Sequence, residues 1–307
     1  RVHRGDWETP DLLVMGYVSE WSDVVQATFE LAGLPTWLVL EPTEDPSAVE
    51  AWLLGDGLSG AIWPSGVDSP WVRDYGPLQV HEGDRLIWLD GEYDRQRTRD
   101  DDFSSDLGAA LGVEVESLPL ILDGGAIISN GRGLCVTTAG AALTSGPSGL
   151  EASLPQLGCP VMVVIAPLRL ELTGHVDLFA QFLGPDLLAL AQADPVELPE
   201  DAAELERAAA VILAAAASMG QPLPLVRLPL GRTASGFYTA FANSLQLPRH
   251  VLVPTYADAP AGLEARAFAV LAAAVPNKEI VPVPVDPIAS RGGGVHCVIV
   301  GLSAASA

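Results

Sequence analysis

TGHVDLFAQFLGPDLLALAQ, residues 173–192, joins a polar cluster to a run of strand character. A polar cluster, TGHVD, leads into apolar residues that read as two strands folded back at GPD, a hairpin turn. The same order recurs at WVRDYGP (71–77) followed by LQVHEGDRLIWLD (78–90), with EGD as the turn. Further strand candidates are DLLVMGYV (11–18), TWLVLEP (36–42), AIWPSG (61–66), GLCVTT (133–138), VMVVIAP (161–167) and HVLVPTY (250–256). Between them lie helical stretches. SDVVQATFELAGL (22–34) is capped by Ser22 or Asp23, PEDAAELERAAAVILAAAASMG (199–220) closes at Gly220, and GLEARAFAVLAAAVP (262–276) is a third. Strands alternating with helices over the whole length make the chain α/β. No Pro/Gly/Ser-rich linker or composition shift divides it, which predicts one continuous domain over 1–307.

Composition narrows the partners. Of 307 residues, 49% are hydrophobic and 18% charged, enough apolar surface to form a large core. The net charge is −23, which repels phosphate backbones and anionic lipid, so nucleic acid and membrane surfaces are poor partners. Cationic small molecules or arginine-rich peptides are attracted by such a surface, which can equally be simply solvated. The longest apolar stretch, Ala208 to Met219, is about a dozen residues against the roughly 20 that span a bilayer, and reads as a buried amphipathic helix. Three scattered cysteines, Cys135, Cys159 and Cys297, yield no disulfide framework. No signal peptide is visible at Arg1 and no initiator Met is present, which leaves the compartment open between the cytoplasm and secretion after leader removal.

Polar clusters at the ends of strand candidates recur with a loose period: WVRDYGP (71–77), LDGG (122–125), TGHVD (173–177), FANSLQL (241–247) and GGGVHC (292–297). From Asp74 to Asp123 is 49 residues, then 52 to His175, 68 to Asn243 and 54 to Cys297. That spacing suggests repeated supersecondary units, each delivering one polar cluster to a common centre.

Within these clusters the chemistry has candidates. Three glycines before His296 and Cys297 allow a tight turn and close approach of a ligand, a setting for a nucleophile, although a lone cysteine is often only buried and inert. His175 stands two residues before Asp177, so in a strand both would face one side. They could be an acid/base with its partner, two metal ligands or a hydrogen-bonded core pair. His296 would face the other way from Cys297 and reads as structural. Asp74, between Trp71 and Tyr75, could belong to a site or to a turn with a surface Arg73–Asp74 pair. The sequence has no CxxC pair, HExxH or Walker pattern to suggest zinc or nucleotide.

WVRDYGP, LDGG, TGHVD, ANSLQL followed by VLVPTY, and GGGVHC, in this order, resemble the agmatine deiminase and bacterial peptidylarginine deiminase family of guanidino-group modifying enzymes. The likeness runs from about Asp6 to Ala304. It implies a five-bladed, pseudo-symmetric α/β propeller of the pentein kind around a central site. It implies Cys297 as nucleophile, His175 as general acid/base, and Asp74 and Asp177 as the carboxylates that grip a guanidinium, with Asp123 beside the histidine and Trp71 at the substrate. No metal or organic cofactor is implied. Two carboxylates suit a planar guanidinium, which presents paired N–H groups for bidentate, charge-assisted hydrogen bonds.

At the far end of the substrate, EYDRQRTRDDD (92–102) resembles the segment of the peptidylarginine type. The likeness places Arg95 and Arg97 at a substrate carboxylate and Asn243 at the substrate backbone, while Leu172 stands where that type has a tyrosine. A solvated run, with Arg95, Arg97 and Arg99 paired to Asp100–Asp102, is the alternative. The expectation is a cofactor-free deiminase of a small cationic guanidino substrate, a C-terminal peptidylarginine or free arginine ahead of agmatine. A silent propeller that binds cations and a cysteine peptidase are remoter possibilities.

Overall fold

The computed structural model describes residues 1–94, 96–140 and 146–303. Its strands form five sheets among the described residues, and each has one topology at its heart: two antiparallel strands, then a crossover helix that returns the chain as a third strand parallel to the second. The 173–192 stretch is typical. Ala180–Gly184 pairs antiparallel with Leu187–Ala193, and after helix Pro199–Ser218 the strand Leu225–Leu230 pairs parallel with Leu187–Ala193. The others are Leu78–Glu82, Arg85–Glu92 and Val115–Ile121; Ile127–Ser129, Leu134–Thr138 and Val161–Ile165; and Leu245–Gln246, His250–Thr255 and Glu279–Pro284. The fifth joins the chain's two ends, because Ile299–Leu302 runs antiparallel to Leu12–Tyr17, which pairs parallel with Thr36–Leu40.

Local sequence accounts for these elements. The EGD turn becomes Glu82–Asp84 with Gly83 at φ +63°, a conformation open to glycine without strain. Helix Pro199–Ser218 starts with Pro at its first turn and buries Ala202, Leu205, Ala208, Ala209, Ile212 and Ala216, one face at helical spacing. Helix Ser22–Ala32 ends at Gly33 in the left-handed region. Second strands such as Leu12–Tyr17 are buried along their entire length, as strands covered on both faces must be.

Two expectations need correction. The cysteines, whose spacing yields no disulfide framework, do contain one bridge: Cys135 and Cys159 form a disulfide with Cα atoms 5.6 Å apart. The helix Pro147–Leu157 carries the chain back so that Val161–Ile165 lies beside Leu134–Thr138, which brings together two cysteines 24 positions apart. The second concerns 173–177. His175 is extended, but Val176–Leu178 forms one turn of 3-10 helix, so His175 and Asp177 do not share a strand face.

The polar clusters all fall at one place in the repeat, just before the first strand of each sheet. Asp74 lies in the short helix Val72–Tyr75, Asp123 caps the turn Gly124–Ala126, His175 caps Val176–Leu178, and Cys297 lies within His296–Val298. Asn243 sits in a turn ahead of Leu245–Gln246. A one-turn helix before a strand re-aims the chain, and here it turns each polar side chain toward the same centre.

Candidate active site

The clusters meet. His175, 4% exposed, bonds Asp123 Oδ2 through Nε2 at 3.0 Å and faces Asp74 Oδ1 through Nδ1 at 3.6 Å. Burial works against its charge, yet Asp74, Asp123 and Asp177 outweigh it and lift the imidazolium to about 10. Asp74 is pushed up to about 7 by burial, against the pull of His175, with Asp123 and Asp177 adding to the rise. The ring is therefore a cation near neutrality, placed as a proton donor.

Asp177 is 2% exposed, and its Oδ2 is fixed by His296 Nδ1 at 2.7 Å. Its other oxygen, Oδ1, is buried without a hydrogen-bond partner, and so is Asp74 Oδ1. Burying a carboxylate oxygen unpaired costs free energy unless something else arrives to pair it. Room for the convergence comes from Gly125: a Cβ there would lie 2.7 Å from His175 Nδ1, 2.9 Å from Asp74 Oδ1 and 3.3 Å from Asp177 Oδ1. This is why the cluster reads LDGG.

Cys297 is the free thiol among the described cysteines and is 4% exposed. Burial, with Asp177 and Asp74 nearby, pushes it well above the usual thiol range. Asn243 holds it from behind: Nδ2 donates to Sγ at 3.4 Å, and Oδ1 accepts the His296 N–H at 3.0 Å. The glycines ahead of it are needed for close approach. A Cβ on Gly293 would meet the Trp71 ring at 2.5 Å, and one on Gly294 would meet Asn243 Oδ1 at 2.4 Å.

Cys297, His175, Asp74, Asp123, Trp71 and Arg97 line one cavity of about 260 Å³, together with Tyr93, Thr173, Arg291, Gly292 and Gly293. That brings together most of the residues expected from the sequence. Asn243 and Asp177 are not among the lining residues: both are buried, Asn243 against the sulfur of Cys297 and Asp177 against His296. Arg95 lies outside the described residues. Arg97 donates to Tyr93 Oη at 3.1 Å and lies 3.6 Å from Asp94. The surface-run alternative fits the aspartates poorly: Asp100 is fully buried, accepting from the backbone of Asp68 and Ser69, while Asp101 accepts the Tyr93 N–H.

Some residues carried no signal. Arg73 does not pair with Asp74 at the surface: it is buried and bound to Asp6 at 2.8 Å, and Asp6 lies 3.9 Å from His296 Nε2. His296 is structural in the sense that it orients Asp177. Arg291, against the rings of Trp21 and Trp71 at 5.1 and 5.8 Å and paired with Glu41, brings a second cation to the cavity. Its position immediately before GGG could have marked it. Among the described residues no group of three or more His, Cys, Asp or Glu side chains is arranged to hold a metal ion.

Residues 19–301 match the family of Porphyromonas-type peptidyl-arginine deiminases. The chain belongs to that family. It is 26% identical over 271 residues to a Vibrio parahaemolyticus protein named "Putative agmatine deiminase", with 74% of each chain covered. The fold of this family member superposes with a TM-score of 0.84 on the agmatine deiminase of Enterococcus faecalis, at 18% identity, covering 99% of this chain and 96% of that one. On a Porphyromonas gingivalis structure described as a "Putative Arginine Deiminase" the score is 0.82 at 20% identity, with 98% of both chains covered.

Proposed function

We propose that residues 1–307 act as one hydrolytic deiminase unit, which converts a guanidino group to a ureido group with release of ammonia. The observation that carries this is the pair of buried oxygens without a hydrogen-bond partner, Asp74 Oδ1 and Asp177 Oδ1, beside the free thiol of Cys297 and the charged ring of His175. A guanidinium supplies N–H donors to both oxygens and a positive charge to offset both carboxylates. Burial raises the Cys297 thiol most, with Asp177 and Asp74 adding to the rise; the guanidinium charge offsets the two carboxylates, so binding favours the thiolate.

As the guanidinium binds, the thiol proton is released to solvent, since His175 is already charged, and the thiolate attacks the central guanidino carbon. His175 gives its proton to the departing nitrogen, ammonia leaves, and a thiouronium remains on Cys297. The neutral ring then takes a proton from water, which adds to the same carbon. Sulfur departs and the ureido product is free. Asp123, bonded to His175 Nε2, keeps the ring oriented through both halves. The reaction as proposed needs no metal or organic cofactor.

The favoured substrate is an arginine that carries a carboxylate, free or at a peptide C-terminus, with Arg97 at the cavity as its partner and Trp71 against the aliphatic stem. Agmatine is the second reading, supported by the names of the relatives and by Arg97 already having Tyr93 and Asp94 as neighbours. Turnover of agmatine, free arginine and arginine-terminated peptides, scored by ureido product, separates the two. Arg97→Ala should lower kcat/KM for the carboxylate-bearing substrates by roughly 10- to 150-fold and spare agmatine. A parent enzyme that prefers agmatine, or a variant that treats all three alike, sinks the arginine reading.

A further inference from the structure

A second cavity of about 270 Å³ adjoins the catalytic one, and the two share Arg291, Gly292 and Gly293 as a common wall. Its character is different. Leu170, Leu172, Leu178, Phe237, Tyr238 and Ala240 line it. Leu172 is 95% exposed, Leu170 55% and Phe237 37%. Single exposed apolar residues are ordinary, whereas several around one concavity mark a place where apolar surface is to be covered.

The walls are built. Glu171 accepts from Thr173 N and Oγ1 at 2.8 Å and from Gly174 N at 2.5 Å, which fixes the segment that carries Leu170 and Leu172. On the other side Arg232 donates to Gly236 O at 2.6 Å, Phe237 N–H donates to Thr233 Oγ1 at 3.1 Å, and Tyr238 Oη donates to Asp201 at 2.6 Å. Two stretches of chain run from one cavity to the other. The first goes from Leu170 and Leu172 to Thr173 and His175, and the second passes from Ala289 through Gly293 toward Cys297. Gly292, at φ +92° with open space where a Cβ would be, keeps the dividing wall low.

We infer that this cavity receives the apolar or aromatic side chain that precedes the arginine of a peptide substrate. The inference rests on the deiminase reading above. With the guanidinium held at Asp74, Asp177 and Cys297, the main chain of an arginyl residue lies at the mouth beside Thr173 and Gly292. The neighbouring side chain then has the apolar cavity within reach, across a wall with no side chain at Gly292 or Gly293. An acidic side chain there would meet Glu171. Agmatine and free arginine have nothing to place in it.

The test compares dipeptides Phe-Arg, Leu-Arg, Gly-Arg and Glu-Arg, with free arginine and agmatine as the control arm for deiminase activity itself. Phe-Arg and Leu-Arg should exceed Gly-Arg in kcat/KM by roughly 10- to 100-fold, as expected for a buried large side chain, and Glu-Arg should be the poorest. Leu170→Ser and Phe237→Ser, both at exposed positions, should compress the Phe-Arg to Gly-Arg ratio toward one. Turnover of any control or of Gly-Arg without that preference, or a preference that survives both substitutions, overturns the inference and leaves the deiminase reading in place. No turnover of any compound overturns both.

Discussion

Burial, with Asp177 and Asp74, raises the Cys297 thiol, so in the proposed reaction its reactivity depends on a bound cation that offsets the two carboxylates. A haloacetamidine, which mimics the guanidinium, should label one cysteine only, since Cys135 and Cys159 are joined to each other. Peptide mapping that finds label elsewhere, or measurable turnover by Cys297→Ala, would refute the nucleophile. Asp74→Asn and Asp177→Asn should each lower kcat/KM by roughly 100-fold or more, because each removes a charge-assisted contact to the guanidinium. EDTA should change nothing; loss of activity restored by a divalent ion would return His175 and Asp177 to the status of metal ligands. The pH profile has a definite sign. Asp74 at about 7 must lose its proton to bind the cation, so kcat/KM should rise as pH increases through neutrality. His175 at about 10 must keep its proton to act as an acid, so the rate should fall again as pH approaches that value. Because the groups interact, the limbs report the cluster and not either residue alone. A profile flat through neutrality would contradict this assignment.

The one-turn helices before the first strands aim the functional groups, and the glycines within them let the elements approach closely. Gly294→Ala should show this most clearly, since the added Cβ would sit 2.4 Å from Asn243 Oδ1, the atom that anchors the His296 N–H. We expect kcat to fall at least about 10-fold, as a small misplacement of a nucleophile does, with far-UV circular dichroism unchanged. Full activity would mean that Asn243 does not hold the thiol. In the repeat that Asp123 opens, the disulfide ties the strand Leu134–Thr138 to Cys159, two residues past helix Pro147–Leu157. Replacing both Cys135 and Cys159 with Ser should cost about 3 kcal/mol of stability, read as a lower Tm, without altering kcat. These element-scale features were only partly legible. Turn chemistry marked the EGD and GPD hairpins, and Gly220 marked the end of helix Pro199–Ser218, because those signals are local; the expected cap at Ser22 or Asp23 is not formed, since helix Ser22–Ala32 is preceded by Trp21 with no side-chain hydrogen bond. The turn at Val176–Leu178 was hidden, because GHVD has no residue that separates a strand from a single 3-10 turn.

At the scale of the molecule, the strand Ile299–Leu302 pairs with Leu12–Tyr17 and so joins residues from opposite ends of the described chain in one sheet. Met15, Val14, Leu13 and Leu12 all find their partners there, and all four are buried. A chain ended after Val298 would leave the edge of a fully buried strand unpaired. It should therefore lose its cooperative thermal transition, a result that calorimetry reads directly. What the sequence by itself determined was the alternation of strands and helices and the recurrence of polar clusters every 49 to 68 residues, and the likeness of its motifs to the family's made Cys297, His175, Asp74, Asp177 and Asp123 candidates as a set. Hydrophobic period, turn residues and motif order are properties of the covalent chain, so they can be read along it. Only the tertiary structure decided that Cys135 meets Cys159, that Asn243 stands behind the sulfur, that Asp6 and Arg73 pair beneath the site, and that Arg291 reaches the cavity. These depend on which crossover lies beside which strand and on where a buried charge can find an opposite one. Packing of the whole chain settles both, and residues far apart in the sequence carry no mark of it.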